Sequence, residues 1–446
     1  MPPDHVHFNG SVNLADAESV MREIASRVPS GLRRIPDGET GDRGNWIFFQ
    51  LHRFLQLPSL VPVRPPSGPD GEYEQLPQLR LADGADPARV SWPDLGYADA
   101  YLGSYAIFAA LRADGVVPAG VRFQVQYPTP LASISAYIVP EQQQALLGSY
   151  EQAMFVDLDR LLAAIPPDDV AVQWDVAVEF GILEEAFAPG GSQAFDAIAD
   201  ALARCVDRVP AAIPVGLHLC YGDYGHQHFK QPESLALQVR VLNAVTAAAG
   251  RPVSFVSFTV PQYQREESYF APLAGLTADP GTELNFALVP YHPAEQAPGT
   301  AGDQVRLIDA ALAASPGGGR GWGICTECGM GRAGRDEIPG LLDLHRQIVA
   351  ARSLALPDVT VQVLPAIAHP ATQSGFLIAD DAAYTEHVIG GLVFTDAETV
   401  TVLDRLFDRL RAESYRASES AAIIRRAAEV WTGESRPTVV PTAATA

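Results

Sequence analysis

Short strand-like runs, most of them apolar, recur eight times in the first 354 residues of this chain, and a helical pattern follows nearly every one. The runs fall at 5–8, 33–35, 120–125, 170–174, 213–217, 253–258, 284–289 and 321–324. The helical stretches fall at 15–28, 45–54, 98–113, 140–164, 193–209, 234–249, 304–314 and 335–354. Strands that alternate with helices build a parallel sheet covered on both faces, and eight such units close on themselves. The expected architecture is α/β, a (β/α)8 TIM barrel over residues 1–354. Active sites of such barrels lie at the C-terminal ends of the strands. Polar and glycine-rich clusters follow every run except the sixth. The stretch 58–92, rich in Pro, Gly and Asp, reads as an irregular excursion. After Leu354 the rhythm stops. Residues 355–446 read as a C-terminal helical appendage. A strand is expected within 357–367, and a helix opens at the capping box Thr395-Asp-Ala-Glu398. A second helix is expected at 418–431, before a frayed tail at 432–446. The appendage either covers the barrel or mediates homo-oligomer contacts; the sequence leaves both open.

The fifth run ends in His218-Leu-Cys220. Alternate residues of a strand share a face, so this imidazole and this thiol project together. The pair suits Zn²⁺, and a third ligand must come from elsewhere. After the eighth run comes Cys325-Thr-Glu-Cys-Gly-Met-Gly-Arg332, with Cys328 in a glycine-rich turn. His218, Cys220 and Cys328 are the candidate ligands. The competing reading is a satisfied core histidine and small buried cysteines. Cys325 lies at the strand's end, before the turn, and reads as packing. Cys205 falls in an amphipathic helix and reads as inert.

The formal net charge of −22 leaves little positive field, so no nucleic-acid partner is expected. No run of ~18 apolar residues exists to span a membrane. The first residues, MPPDHVHFNG, lack the basic and apolar segments of a signal peptide. A cytoplasmic location is expected, and four cysteines there do not suggest a disulfide framework.

In order, the strand-end motifs resemble the catalytic barrel of the cobalamin-independent methionine synthase family. That family belongs to the zinc-dependent thiol alkyltransferases with a uroporphyrinogen decarboxylase/methionine synthase-like barrel. Phe8-Asn-Gly-Ser-Val12 resembles the family's Ile-Gly-Ser-Phe opening, and Asp37-Gly-Glu39 its His-Gly-Glu. Gln126-Tyr-Pro-Thr129 stands where the family has Thr-Gly-Pro-Val-Thr. Gln173-Trp-Asp175 is similar to Gln-Ile-Asp, and His218-Leu-Cys220 to His-Met-Cys. Tyr291-His-Pro293 stands near Asp-Ile-His-Ser-Pro, and Cys328-Gly-Met-Gly-Arg332 resembles Cys-Gly-Leu-Lys-Thr-Arg.

The resemblance implies a zinc-bound thiolate that attacks an activated methyl or alkyl group. It implies that Glu39 and Asp175 hold the amino group of homocysteine or a related amino-acid thiol, with Ser11 and Tyr127 also in the substrate site. It implies a proton-donating role for His292, with Asp175 also in the reacting set. For Glu39 a loop cap competes with this reading, for Ser11 an ordinary Gly-Ser turn, and for His292 a solvated histidine. The partners implied are a small thiol and a methyl or alkyl donor. Other readings are alkyl transfer to coenzyme M with epoxide opening, carbon–sulfur chemistry in a specialised pathway, and a ligand-binding barrel without catalysis. One departure bears on the donor. The family carries a ligating glutamate on the strand after His-x-Cys, but here 253–260 reads Val-Ser-Phe-Val-Ser-Phe-Thr-Val, with no acid; water, a loop glutamate (Glu266 or Glu267) or nothing takes its place. A zinc held by one His and two Cys is less anionic and makes a bound thiolate a weaker nucleophile. The expected donor is therefore more reactive than methyl-tetrahydrofolate: an epoxide, a sulfonium or a methyl carried by another cofactor.

Overall fold

A computed structural model describes residues 3–63, 78–187, 189–222, 227–290, 297, 299–350, 376–379, 382–387 and 390–394. The chain divides into two compact units, Met1–Leu354 and Ala355–Ala446.

In the first unit the chain runs β1 (His5–Val6), α1 (Ala17–Arg27), β2 (Arg34–Pro36), α2 (Trp46–Phe54), β3 (Leu60–Val63), β4 (Gln78–Leu81), α3 (Tyr97–Ala113) and β5 (Arg122–Pro128). It continues through α4 (Pro130–Tyr137), α5 (Pro140–Ala164), β6 (Val170–Val176), α6 (Val178–Leu183), α7 (Phe195–Arg208), β7 (Val215–Leu219) and α8 (Ala236–Ala248). Then follow β8 (Phe255–Phe258), α9 (Glu267–Phe270), β9 (Glu283–Ala287), α10 (Thr300–Ala313), β10 (Gly323–Cys325) and α11 (Ile338–Ala350). Eight of these strands form one sheet in the order β1-β10-β9-β8-β7-β6-β5-β2. Every pairing in it is parallel. The two end strands meet through a parallel bridge between Val6 and Leu32, where Val6 N donates to Gly31 O at 3.0 Å. The sheet is thus a (β/α)8 barrel, as the eight strand-like runs lead one to expect.

Strand alternation sorts the side chains. Phe123, Val125, Tyr127 and Trp174 are fully buried. Phe123 packs on Phe108 of α3, and Trp174 on Phe155 of α5. Their neighbours along the strands turn inward instead. Gln124 donates to Phe8 O at 2.7 Å and Gln173 to Asn9 O at 2.9 Å, across the barrel. The interior is therefore polar and hydrogen-bonded where such barrels more often stack branched aliphatics. At its far end His5 meets Glu283 at 3.1 Å, and Arg34 also pairs with Glu283. Helix starts follow their local chemistry. The Asp16 carboxylate accepts from Ser19 N at 2.8 Å to cap α1. Thr129 caps α4, with Pro130 at its first position.

The excursion at 58–92 is not structureless. β3 and β4 pair antiparallel, Leu60 against Leu81 and Pro62 against Leu79. Leu60, Leu79 and Leu81 are buried, and Leu79 bridges to Ile138. A short apolar face docked on the end of α4 outweighs the poor strand propensity of the surrounding prolines and glycines.

In the second unit the described residues form an antiparallel sheet of β11 (Phe376–Ala379), β12 (Ala382–His387) and β13 (Gly390–Phe394). The sequence reading took 355–446 as mostly helical and placed no strand at these residues. The strand expected in 357–367 and the helices expected after Thr395 and at 418–431 lie outside the described residues. No helix among the described residues is long and apolar enough to cross a membrane.

Candidate metal centre and substrate pocket

β7 carries His218, and Cys220 follows the strand directly. The Cys220 N–H still donates to Val176 O at 2.9 Å, so the thiol stays anchored to the sheet. Gly222 adopts φ +78°, a turn open to glycine, and its N–H donates to Cys220 Sγ at 3.3 Å. Cys328 comes from the loop after β10. One ligand atom each from His218, Cys220 and Cys328 lies within 4.8 Å of the others. The Cys220 and Cys328 sulfurs are 3.8 Å apart. Two thiolates at ~2.3 Å from a tetrahedral zinc are about 3.8 Å apart, so the spacing fits the ion. His218 and Cys220 are buried, while Cys328 is partly exposed, which leaves one side open to a small molecule. Cys325 is fully buried within β10 and outside this cluster, and burial pushes its thiol pKa up.

Asp175 sits beside this cluster. It pairs with His218 in the β6–β7 register, and its Oδ1 lies 3.3 Å from His218 Nδ1. Burial opposes a charge on His218, but the hydrogen bond and charge of Asp175 outweigh it and raise its pKa. A carboxylate on the second nitrogen of a ligating histidine fixes the ring's orientation and tautomer. Gln173 donates to the same Asp175 oxygen at 2.9 Å. Behind it His7 meets Gln173 Oε1 at 2.9 Å. Burial and then Arg34 push His7 well below the usual histidine range, so it stays neutral and donates.

Glu39 lies in the loop after β2 with φ +51°, a conformation uncommon for a residue with a side chain. Its N–H donates to Asp37 Oδ1 at 3.0 Å, and Asp37 is itself buried in an ion pair with Arg43. Ser11 Oγ donates to Glu39 Oε2 at 2.7 Å. Burial and then the charge of Asp175 raise the Glu39 pKa to about 7. Glu39, Ser11, Asp175 and the His-Cys-Cys cluster thus converge on one region of the barrel mouth. A backbone ladder holds them there. Ser11 bridges to Gly38 and Val12 to Met330; Val12 N donates to Gly38 O at 2.9 Å and Met330 N to Ser11 O at 2.6 Å. A Cβ on Gly329 would lie 2.8 Å from Ser11 N, so only glycine lets the Cys328 loop come this close.

Tyr127 does not join the group, and its expected substrate contact is corrected. It points outward, and its hydroxyl donates to Asp157 of α5 at 2.9 Å. On β5 the inward face belongs to Gln124 and Gln126. Tyr127→Phe should therefore leave thiol binding unchanged and cost about 1 kcal/mol of stability, the value of one buried hydrogen bond. Substrate titration and denaturant unfolding check the two halves; a loss of binding would return Tyr127 to the pocket. His292 lies outside the described residues.

The sequence reading missed Gln173 and His7 as supports, though each sits two residues from a motif residue on the same strand face. It also missed Glu327, whose carboxylate pairs with His228 at 2.8 Å and whose carbonyl lies 3.3 Å from His218 Nε2.

A family model described as "Domain of unknown function (DUF5753)" matches residues 343–426. No curated protein matches the sequence. Among solved structures, a B12-independent methionine synthase from Shewanella sp. W3-18-1, in complex with selenomethionine, is 15% identical with a TM-score of 0.52. The alignment covers 79% of this chain and 99% of that one. A protein from Listeria monocytogenes, named provisionally as a vitamin-B12-independent methionine synthase, is 12% identical with a TM-score of 0.48. Here the coverage is 78% and 98%. The Shewanella likeness carries one conclusion: this chain has the barrel fold of a B12-independent methionine synthase.

Proposed function

We propose that the barrel is a zinc-dependent transferase that moves a methyl or other alkyl group to or from the sulfur of an amino-acid thiol, homocysteine or a close relative. One observation carries the reading: Asp175 touches His218 of the His-Cys-Cys cluster and also raises the pKa of Glu39. The candidate ligands and a pair of acids are therefore neighbours at the barrel mouth, which supports the reading. Zinc held by His218, Cys220 and Cys328 would supply the Lewis acidity that keeps an acceptor thiol deprotonated near neutral pH. Glu39 and Asp175 would take the substrate ammonium, because a cation bound away from water needs opposite charge and hydrogen bonds. Ser11 would hold Glu39 in place through its 2.7 Å bond. The selenomethionine in the Shewanella structure is of the same chemical class as the product we propose.

β8 offers no acid to the cluster, so the donor is expected to be a sulfonium, an epoxide or a methyl carried by another cofactor. The test supplies the zinc-loaded protein with homocysteine and each donor class in turn. S-alkylation of homocysteine by an activated donor is the expected result. Turnover with methyl-tetrahydrofolate at about 1 s⁻¹ or faster would overturn the donor assignment. No alkylation of homocysteine by any donor would overturn the transferase reading.

A further inference from the structure

Where β8 ends, it turns a hydroxyl towards the candidate metal centre. Thr259 stands one residue beyond the last paired residues of β7 and β8, Leu219 and Phe258. Its side chain is 1% exposed. Its Oγ1 donates to Leu219 O at 2.8 Å and, as a bifurcated bond, to Glu327 O at 3.3 Å. Leu219 lies between His218 and Cys220, and Glu327 immediately precedes Cys328. One hydroxyl therefore ties together the two backbone segments that carry all three candidate ligands. These segments are far apart in sequence and belong to strands that are not neighbours in the sheet, since β8 and β9 separate β7 from β10.

Thr259 is itself held rigidly. Gln238 of α8, fully buried, accepts from Thr259 N at 2.9 Å and donates to Thr259 O at 2.9 Å. Tyr269 OH donates to the same carbonyl at 3.3 Å. This clamp fixes the backbone, and β-branching leaves the side chain few rotamers. The hydroxyl position is thus set from outside the barrel, through α8, before any ion arrives.

We propose that Thr259 is a positioning residue that sets the separation of the Cys220 and Cys328 sulfurs, so that the cluster is shaped for a tetrahedral ion without a carboxylate from β8. The proposal rests on the metal-site reading above. Outer partners that orient metal ligands typically contribute 10–100-fold to metal affinity, and Thr259 should fall in that range.

The test compares wild type, Thr259→Val, Thr259→Ser and Thr259→Ala. Val keeps the shape and removes the hydroxyl; Ser keeps the hydroxyl and removes the methyl. Zinc affinity is measured by competition with a chelator. On the metal-free protein, bridging of the two thiols by dibromobimane, which fluoresces when both arms react, reports their separation without any metal. Thr259→Val should bind zinc about 10–100-fold more weakly and bridge more slowly, with Thr259→Ser restoring both. Should Val fail to fold, the Ala–Ser pair asks the same question, since only Ser regains the hydroxyl. Zinc affinity and bridging in the hydroxyl-free variant within about twofold of wild type would overturn the proposal, as would failure of Ser to restore them. Wild-type protein that binds no zinc but still shows hydroxyl-dependent bridging would overturn the metal reading and leave the spacing role standing.

Discussion

Cys220→Ser and Cys328→Ser should each abolish stoichiometric zinc in a protein that otherwise carries about one zinc per chain. The expected loss is large because the ligand set is small. Structural zinc sites bind with about 10–16 kcal/mol, and losing one of three protein ligands should cost about 3–5 kcal/mol, two to four orders of magnitude in affinity. Serine is nearly isosteric but offers a hard, protonated oxygen where the site provides a thiolate. Cys325→Ser is the control. Cys325 is buried in β10 away from the cluster, and burial favours its protonated thiol, so zinc should be retained. Metal analysis of purified wild type and the three variants decides the matter. Full zinc in both Cys220→Ser and Cys328→Ser would remove the site. Zinc lost from Cys325→Ser but kept in Cys328→Ser would show that the wrong cysteine has been assigned.

Affinity for the amino-acid thiol should rise with pH and level off above about 7, following the Glu39 carboxyl. Burial and the neighbouring charge of Asp175 raise that pKa to about 7. Below it, a proton occupies the oxygens that would otherwise receive the substrate ammonium. Glu39→Gln should abolish this limb. It should also weaken binding at pH 8 by about 10–100-fold, as expected for a lost charge-assisted interaction of about 1.5–3 kcal/mol. Calorimetric titration of homocysteine into both proteins across the pH range gives the difference profile, in which thiol ionisation cancels. Identical profiles for the two proteins would exclude Glu39 from substrate binding. The same shift acts on folding with the opposite sense. A carboxyl whose folded pKa is raised contributes stability at pH below its unfolded value, near 4.5, and loses it as pH rises to about 7. The substrate-free pocket should therefore be held more firmly in mild acid, and Glu39→Gln should flatten that dependence.

The barrel was legible because its strands are buried on both faces, which favours short, mostly apolar runs such as 170–174 and 213–217 between helical stretches. His218 and Cys220 were legible for a related reason: a two-residue spacing at a strand end has one geometric meaning. Tyr127 was misplaced although the same alternation, counted from Gln124 and Gln126, turns it outward. The β3–β4 hairpin was hidden because its apolar face is only a few residues long and its stability comes from α4, a contact no local pattern announces. Thr259 was invisible for a deeper reason. Its hydroxyl matters only through the register of β7 with β8 and the approach of the loop after β10, and neither is written in the residues around it.

The ladder that joins Gly38, Ser11, Val12 and Met330 has a thermodynamic meaning. It places the Glu39 loop and the Cys328 loop on either side of one short strip of backbone. A ligand that orders one loop lowers the entropy still to be lost at the other. On the proposed function an ion and an amino acid would be reciprocal effectors: whatever factor the first adds to the affinity of the second, the second must return to the first. The barrel mouth would then act as one cooperative unit, its two sides coupled through that strip of backbone.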